Sequence, residues 1–202
     1  MKKVILSFAV LAFTLTACND KKQESTGHEQ QEHTGHEEHL SQDQHNQHPS
    51  HKEVKNVTTV KESNVLQLSL DSYLLVKKAL QEDNQVAATT AGKTLTTSLK
   101  AVVTEDARAK ELVKELIETA TKLESTDIKV QRSEFEDLTD DLVKLIAIVG
   151  TDRVVFEQYC PMYDNGEGGK WLSDVEDLSN PLYGSSMLKC GANQNKIIFE
   201  TK

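Results

Sequence analysis

The feature that most constrains this chain is a long central stretch without helix-breaking residues. No proline lies between Pro49 and Pro161, and Gly92 is the only glycine between Gly35 and Gly150. Because apolar residues recur here at three- and four-residue spacing, the stretch predicts long amphipathic helices. The predicted helices cover residues 63–82, 85–103, a segment that begins at 104, and 127–149, with Ser63, Asn84 and Thr104 as N-caps and Gly150 as the last stop.

The helices are predicted to form the core of one compact body. Their connections are short, which favours antiparallel neighbours, and we expect residues 61–150 to form an antiparallel four-helix bundle. The stretch contains no histidine, cysteine or methionine, so its apolar faces indicate a scaffold and not a cofactor pocket. The core stripes include Leu66, Leu70, Tyr73, Leu74, Leu80, Leu95, Leu99, Leu112, Leu116, Phe135, Leu138, Leu142, Leu145 and Ile146.

The composition changes after Gly150. Residues 154–159 and 196–200 have the β-branched and aromatic content of short strands. Between them lie two prolines, five glycines and two cysteines. We therefore expect a mainly α fold in which residues 151–202 form a small irregular C-terminal cap. This cap would contain a short two-stranded β element, pack on the bundle and belong to the same domain.

The N-terminus is typical of an export signal. Lys2 and Lys3 precede a short apolar run, residues 4–13, that is shorter than a membrane span. The following residues 15–18 (LTAC) resemble a bacterial lipobox, in which the cysteine is lipidated. This predicts a lipoprotein signal peptide over residues 1–17 and lipidation of Cys18. The chain would then be anchored to a bacterial membrane and would itself face the periplasm.

Residues 18–60 contain few large apolar side chains and are predicted to be a disordered tether. The seven histidines of the chain all fall within it. Neutral imidazole binds borderline metals such as Cu(II), Zn and Ni, so the tether is predicted to bind metal ions. The candidate ligands are His28, His33, His36, His39, His45, His48 and His51.

Charge and composition exclude two classes of function. The chain has 32 acidic against 23 basic residues and a formal net charge of -9, which argues against nucleic acid as a partner. The sequence after His51 has no histidine, and so lacks the usual general base and the usual activator of a nucleophile. We therefore do not expect an enzyme.

Two pairs of sulfur-containing residues stand in the predicted cap. Cys160 is followed by Met162, and Met187 is followed by Cys190. Thiolate and thioether sulfur are soft donors that favour Cu(I) or Ag(I). If the two predicted strands pair, both duos come together, and the four residues would form a soft-metal site with Trp171 as a cap over the cation through its π face.

A disulfide is the competing interpretation of the same cysteines. With Cys18 lipidated, Cys160 and Cys190 are an even pair in an oxidising compartment, where disulfides persist. Their bond would close about 30 residues and stabilise an irregular cap by roughly 3–4 kcal/mol. Met162, Met187 and Trp171 would then be packing residues. The sequence leaves both interpretations open.

Three segments of the cap carry a family resemblance. Residues 159–162 (YCPM), 170–173 (KWLS) and 180–191 (NPLYGSSMLKCG) resemble the conserved block of an uncharacterised envelope domain. That domain occurs as small lipoproteins and appended to periplasmic adaptors of copper and silver efflux systems. In it the block follows a bundle whose last helix is similar to residues 127–142. The chain departs from the family pattern at Leu182, where a second aromatic residue is common.

The resemblance implies a protein that accompanies heavy-metal efflux, with the cap sulfurs as ligands. We therefore expect a membrane-anchored periplasmic protein that binds copper-like metal ions and buffers them or hands them to an efflux adaptor or pump. The alternative is a disulfide-stabilised interaction module of an envelope complex, without a metal site in its folded domain.

Overall fold

The computed structural model describes residue 54 and residues 56–200. Short 3-10 turns, Asp164–Gly166 and Gly184–Ser186, interrupt the connections of the C-terminal part. The regular elements of the described chain are the helices α1 (Gln67–Gln81), α2 (Gln85–Lys100), α3 (Ala107–Lys122) and α4 (Ile128–Val149), and the strands β1 (Asn56–Lys61), β2 (Val155–Cys160), β3 (Gly169–Ser173) and β4 (Ala192–Glu200).

The four predicted helices are confirmed, and three of their ends follow the sequence signals. The side chain of Asn84 accepts a hydrogen bond from the Ala87 N–H at 3.0 Å and caps α2. Gly150 ends α4 with a φ of 87°, a conformation that glycine adopts without steric cost. Asp127 caps the start of α4 by accepting a hydrogen bond from the Lys129 N–H at 2.8 Å. Local capping therefore sets these boundaries.

Two predicted N-caps are wrong. The helix α1 begins at Gln67 and not after Ser63, because the Ser63 N–H donates to the Thr151 carbonyl at 3.0 Å and holds that segment beside the end of α4. The helix α3 is capped by Asp106, whose carboxylate accepts a hydrogen bond from the Ala109 N–H at 2.8 Å, and not by Thr104.

The helices α1–α4 (residues 67–149) make up the helical body. In it α1 packs against α2, α2 against α3, α3 against α4, and α1 against α4. The mainly α prediction is confirmed. Within the described part of the chain, every helix is too short or too polar to cross a membrane. The buried core of the body includes Leu70, Tyr73, Leu80, Leu95, Leu99, Leu112, Leu116, Phe135, Leu138, Leu142, Leu145 and Ile146.

The prediction of a two-stranded β element is wrong. The described chain contains a mixed sheet of four strands in the order β1-β4-β2-β3. The strand β1 runs parallel to β4, while β4 with β2 and β2 with β3 are antiparallel. Residues 56–60, assigned above to the tether, thus belong to β1. The partner strand β4 lies more than a hundred residues away in the sequence, with Asn195 opposite Asn56. No local sequence pattern therefore predicts this pairing.

The C-terminal cap (residues 151–200) shares its core with the helical body. The Tyr73 hydroxyl accepts a hydrogen bond from the Leu172 N–H of β3 at 2.9 Å and lies 2.7 Å from the Thr139 hydroxyl. The Lys77 ammonium of α1 donates to the Ser173 hydroxyl at 2.7 Å. Apolar side chains of β2, β3 and β4 join the same buried cluster. The sheet is therefore fixed to the helices by both apolar and polar contacts.

Candidate functional site: a buried thiol pair

The structure brings the two cap cysteines together. Cys160 is the last residue of β2 and is fully buried, whereas Cys190 lies before β4 and is partly buried. Both are free thiols, and their Sγ atoms lie 2.7 Å apart. The cysteines are thus close enough to bond to each other, and a separation of the two sulfurs by about 1 Å or more would let both bind one ion.

Strand pairing explains why the thiols meet. Tyr159 of β2 lies opposite Ala192 of β4, so the next residues toward the thiols are also neighbours. At Gly191 the backbone has a φ of 146°, and a side-chain carbon there would lie 2.9 Å from the Tyr159 carbonyl oxygen and 3.0 Å from Cη2 of Trp171. Only glycine allows this approach, which brings the residue before it to Cys160.

A buried asparagine fixes the segment that carries Cys190. The Asn180 side-chain amide donates to the Cys190 carbonyl at 3.0 Å, and its oxygen accepts a hydrogen bond from the Leu182 N–H at 2.8 Å. Its backbone N–H donates to the Leu188 carbonyl at 2.8 Å. Asn180 therefore ties the loop that begins at Pro181 to the segment that ends at Cys190, a role that no local sequence pattern indicated.

Trp171, the suggested cation cap, is a fully buried residue of β3. Its indole N–H donates to the Gln158 side-chain oxygen at 2.7 Å, and Gln158 in turn donates to Asn193 at 2.9 Å. The edge of the ring faces the backbone at Gly191. These contacts are those of a core tryptophan beside the thiol pair.

The two methionines have different surroundings. Met162 is 57% exposed, although Cys160, two residues earlier, is buried. Its carbonyl accepts a hydrogen bond from the Tyr183 hydroxyl at 2.7 Å. Met187 is partly buried in the turn before Cys190, whose N–H donates to the Met187 carbonyl at 3.0 Å. The backbone thus places Met187 in the same turn as one thiol and Met162 on the solvent side of the other.

Burial raises the pKa of the Cys190 thiol to about 11, and the hydrogen bond and charge of Cys160 act in the same direction. The thiol is therefore protonated at neutral pH. A metal ion or an oxidant that uses this sulfur must first displace its proton, so the reactivity of the pair rises with pH.

An ion-pair clamp that the sequence did not reveal joins the cap to two helices. The Arg132 guanidinium of α4 donates to Asp83 at 2.5 Å, to the Leu80 carbonyl at 3.0 Å and to the Pro181 carbonyl at 3.0 Å. The other Asp83 oxygen accepts a hydrogen bond from the Ser185 N–H at 3.1 Å. The hydrogen bonds from Ser185 and Arg132 lower the pKa of Asp83. The clamp positions the loop that leads to Cys190.

Lys77 is a second residue whose role the sequence reasoning missed. It is buried at the junction of α1 and β3, and burial lowers its pKa. A signal was present, because Lys77 falls on the same helical stripe as Leu70, Tyr73 and Leu80. A charged residue on a core stripe indicates a buried polar partner, here the Ser173 hydroxyl.

The other predicted site residues lie outside the described part of the chain. These are the lipidation site Cys18 and the seven tether histidines, His28, His33, His36, His39, His45, His48 and His51. Among the residues that the structure describes, no three His, Cys, Asp or Glu side chains are grouped so that they would hold a metal ion.

One comparison with known proteins gives a match. The chain is similar over residues 70–153 to a family described as "Protein of unknown function (DUF3347)". The matched segment runs from within α1 to just before β2, so it covers the helical body and not the thiol pair. No curated protein and no solved structure matches the chain.

Proposed function

We propose that this protein is a membrane-anchored periplasmic protein that binds heavy-metal ions, copper-like in their chemistry, and buffers them or hands them to efflux machinery. The observation that carries the proposal is the pair of sulfur atoms, Cys160 and Cys190, 2.7 Å apart at the edge of the core. The seven histidines of the N-terminal tether support it independently.

The donor set of the cap fits a soft monovalent cation. Thiolates and thioethers select Cu(I) or Ag(I) over hard ions, and low coordination numbers suit a partly buried site. Cys160 and Cys190 would be the principal ligands, and Met187, in the same turn as Cys190, would add a thioether. The exposed Met162 would receive the ion from solvent. Trp171 would close the buried side of the site.

The tether would bind a different oxidation state. Imidazole favours Cu(II), Zn and Ni, and its affinity falls as protons compete below about pH 6.5. A chain with both ligand sets would collect divalent ions at the tether and hold Cu(I) at the cap. The expected recipient is a heavy-metal efflux adaptor or pump in the same envelope, as the resemblance of the cap motif implies.

The scaffold for this site is proposed to be an antiparallel four-helix bundle. The supporting observation is that the helices are joined by short connections, residues 82–84, 101–106 and 123–127, and that consecutive helices pack against each other. Such a bundle would present the side formed by α1 and α4 to the cap and leave its other outer faces for a partner.

The test is a titration of the reduced mature chain with Cu(I) in competition with a chromophoric chelator. Cys18→Ser is used throughout as background, so that the cap holds the only two thiols. We expect one tightly bound Cu(I) that survives replacement of all seven histidines by asparagine. The double variant Cys160→Ser/Cys190→Ser should lose it, with affinity reduced by at least about 100-fold.

The methionine ligands need a volume-conserving control. Met187→Leu should weaken Cu(I) binding by about tenfold while Leu188→Met leaves it unchanged, because both exchanges preserve side-chain size. If the double cysteine variant retains the tight Cu(I), or the histidine-free variant loses it, the cap is not the binding site and the proposal fails.

A second candidate function rests on the burial of the same pair. Cys160 is fully buried, and Trp171 of the neighbouring strand β3 is a buried core residue, which favours a disulfide that stabilises an interaction module. This candidate predicts that protein isolated from the envelope has no free thiol until it is unfolded in reductant, and binds no Cu(I). A count of free thiols by mass spectrometry after alkylation, with and without reductant, decides between the two.

Anchoring is tested separately. Labelled palmitate should be incorporated into the wild-type chain, and the protein should fractionate with membranes. Cys18→Ser should abolish both, whereas Cys190→Ser should change neither. Incorporation of the label into Cys18→Ser would contradict the lipoprotein interpretation.

A further inference from the structure

We propose that Cys160 and Cys190 are a thiol–disulfide exchange pair with fixed roles, in which Cys190 attacks an external disulfide and Cys160 then closes the internal bond. The partner is any disulfide-bearing oxidant that reaches the surface beside Cys190, whether a small molecule or a protein. The pair would be redox-active, and not a disulfide made once during folding.

The difference in burial assigns the roles. Cys160 is fully buried at the end of β2 and belongs to the apolar core cluster. Cys190 is partly exposed, in a segment that has no strand partner of its own until β4 begins at Ala192. An external disulfide must approach the attacking sulfur in line with its S–S bond, which only the accessible cysteine permits.

The reaction balances without any other reactant. The Cys190 thiol loses its proton to solvent, and its sulfur attacks one sulfur of R–S–S–R, which forms Cys190–S–S–R and releases one thiolate. The Cys160 thiol then loses its proton and attacks the Cys190 sulfur, which forms the internal disulfide and releases the second thiolate. Two electrons pass from the protein to the external disulfide, which leaves as two thiols.

The second step is favoured by the distance between the sulfurs. At 2.7 Å, the Cys160 sulfur is already next to the atom that it must attack. The segment of Cys190 is held there by the Asn180 hydrogen bond to its carbonyl and by the close approach of Gly191 to Tyr159. The mixed disulfide should therefore be short-lived in the wild-type chain.

Exchange has a consequence for metal binding that rests on the proposed function. A soft metal ion needs both sulfurs as thiolates, so the oxidised pair would release it. The experiment below contains no metal, and the exchange can therefore be observed even if the Cu(I) proposal fails.

The probe is glutathione disulfide added to the reduced mature chain with Cys18→Ser, followed by intact-mass spectrometry. We expect the parent to gain an internal disulfide and to release two glutathiones without accumulating an adduct. Cys160→Ser should stop at a stable adduct on Cys190 and form it at a similar rate. Cys190→Ser should react at least about 50-fold more slowly, because its remaining thiol is buried.

Thermal melting of each variant checks that it is folded. If a variant is not, substoichiometric iodoacetamide on the reduced parent gives the same information, since peptide mapping should find the first label on Cys190. Equal rates for the two single variants, first labelling of Cys160, or an adduct that persists in the parent would each overturn the assignment.

Discussion

The helical body and the C-terminal cap are stabilised in different ways. The body buries one apolar face of each helix, and its core is made mostly of leucine. The body also encloses polar side chains, such as Gln131 and Thr139, but in the cap the enclosed Gln158, Ser173 and Asn180 join loops and strands through their hydrogen bonds. Apolar contacts are non-directional, whereas each buried polar group needs its own partner.

The two regions should respond differently to substitution. A leucine core loses stability in proportion to the volume removed, and its pattern is readable from the sequence. The cap depends on a few hydrogen bonds between residues far apart in the chain, and the thiol pair depends on the cap. Substitutions in the body should therefore change stability, while those in the cap should also change the thiols.

The largest effect is expected in the helical body. Phe135 is fully buried and stacks on Tyr73 with ring centroids 4.5 Å apart. Phe135→Ala should lower the free energy of unfolding by about 3–5 kcal/mol, because it removes a large apolar side chain and leaves a cavity. Urea denaturation measures the change. The same experiment on Val130→Ala, an exposed position of α4, should stay within about 0.5 kcal/mol; equal losses would mean that the core is not where we place it.

The next effect separates the cap from the body. Asn180→Ala should cost about 2–3 kcal/mol, because it leaves the buried Leu182 N–H and the Cys190 carbonyl without partners. It should also speed alkylation of the thiols in the native state. Iodoacetamide labelling measures this, with the exposed Asn165→Ala as control. A loss of stability in Asn180→Ala without faster labelling of the thiols would show that Asn180 does not position Cys190.

A glycine pair tests the clamp of Arg132 and Asp83. Gly184 has a φ of 59°, and a side-chain carbon there would lie 2.1 Å from an Asp83 oxygen. Gly166 has a φ of 97° with open space around it. Gly184→Ala should cost about 2–3 kcal/mol and Gly166→Ala about 1 kcal/mol, because only the first breaks an ion pair in addition to straining the backbone. Thermal melting compares the stability of the two variants. Equal losses of stability would mean that backbone strain alone explains the effect of Gly184→Ala.

The smallest effect is a pH dependence at the junction of body and cap. Burial lowers the pKa of Lys77 below its usual 10.5, so the folded chain binds this proton less tightly than the unfolded chain. Stability from this group therefore rises with pH between the lowered pKa and about 10.5. Lys77→Met should remove this rise and change stability by no more than about 1 kcal/mol at pH 7.

The matched control for Lys77→Met is the exposed neighbour Lys78→Met. Both variants keep Cys190, whose raised pKa makes stability fall between its usual value and about pH 11, so this opposing contribution cancels in the comparison. Unfolding in urea at several pH values from 7 to 10 measures the difference. An unchanged pH profile in Lys77→Met would contradict a buried, easily deprotonated lysine.

The helical body was largely predictable because its signals are local. Periodic leucines, the absence of proline, and caps such as Asn84 and Gly150 act within a few residues of each other. The strand β1 was not predictable, because its only described strand partner is β4 at the other end of the folded chain and most of its side chains are exposed. Its sequence resembles the polar tether that precedes it.

The candidate site was predictable only in part. The pairing of β2 with β4 and the meeting of Cys160 with Cys190 follow from the strand pattern. The contacts of Asn180, Gly191 and Arg132 could not be predicted from the sequence. Each of these residues contacts backbone groups that come near only in the folded chain. The burial of Trp171 with its hydrogen bond to Gln158 likewise depends on the sheet register.

The most direct test of the account is the ligand shell of bound copper. X-ray absorption at the copper edge, on the reduced mature chain with Cys18→Ser and one equivalent of Cu(I) at pH 7, reports which atoms contact the metal. We expect a shell of sulfur alone, from Cys160, Cys190 and methionine, that disappears when the pair is oxidised. A shell of imidazole nitrogen, unchanged by oxidation, would contradict it and leave the tether as the binding site.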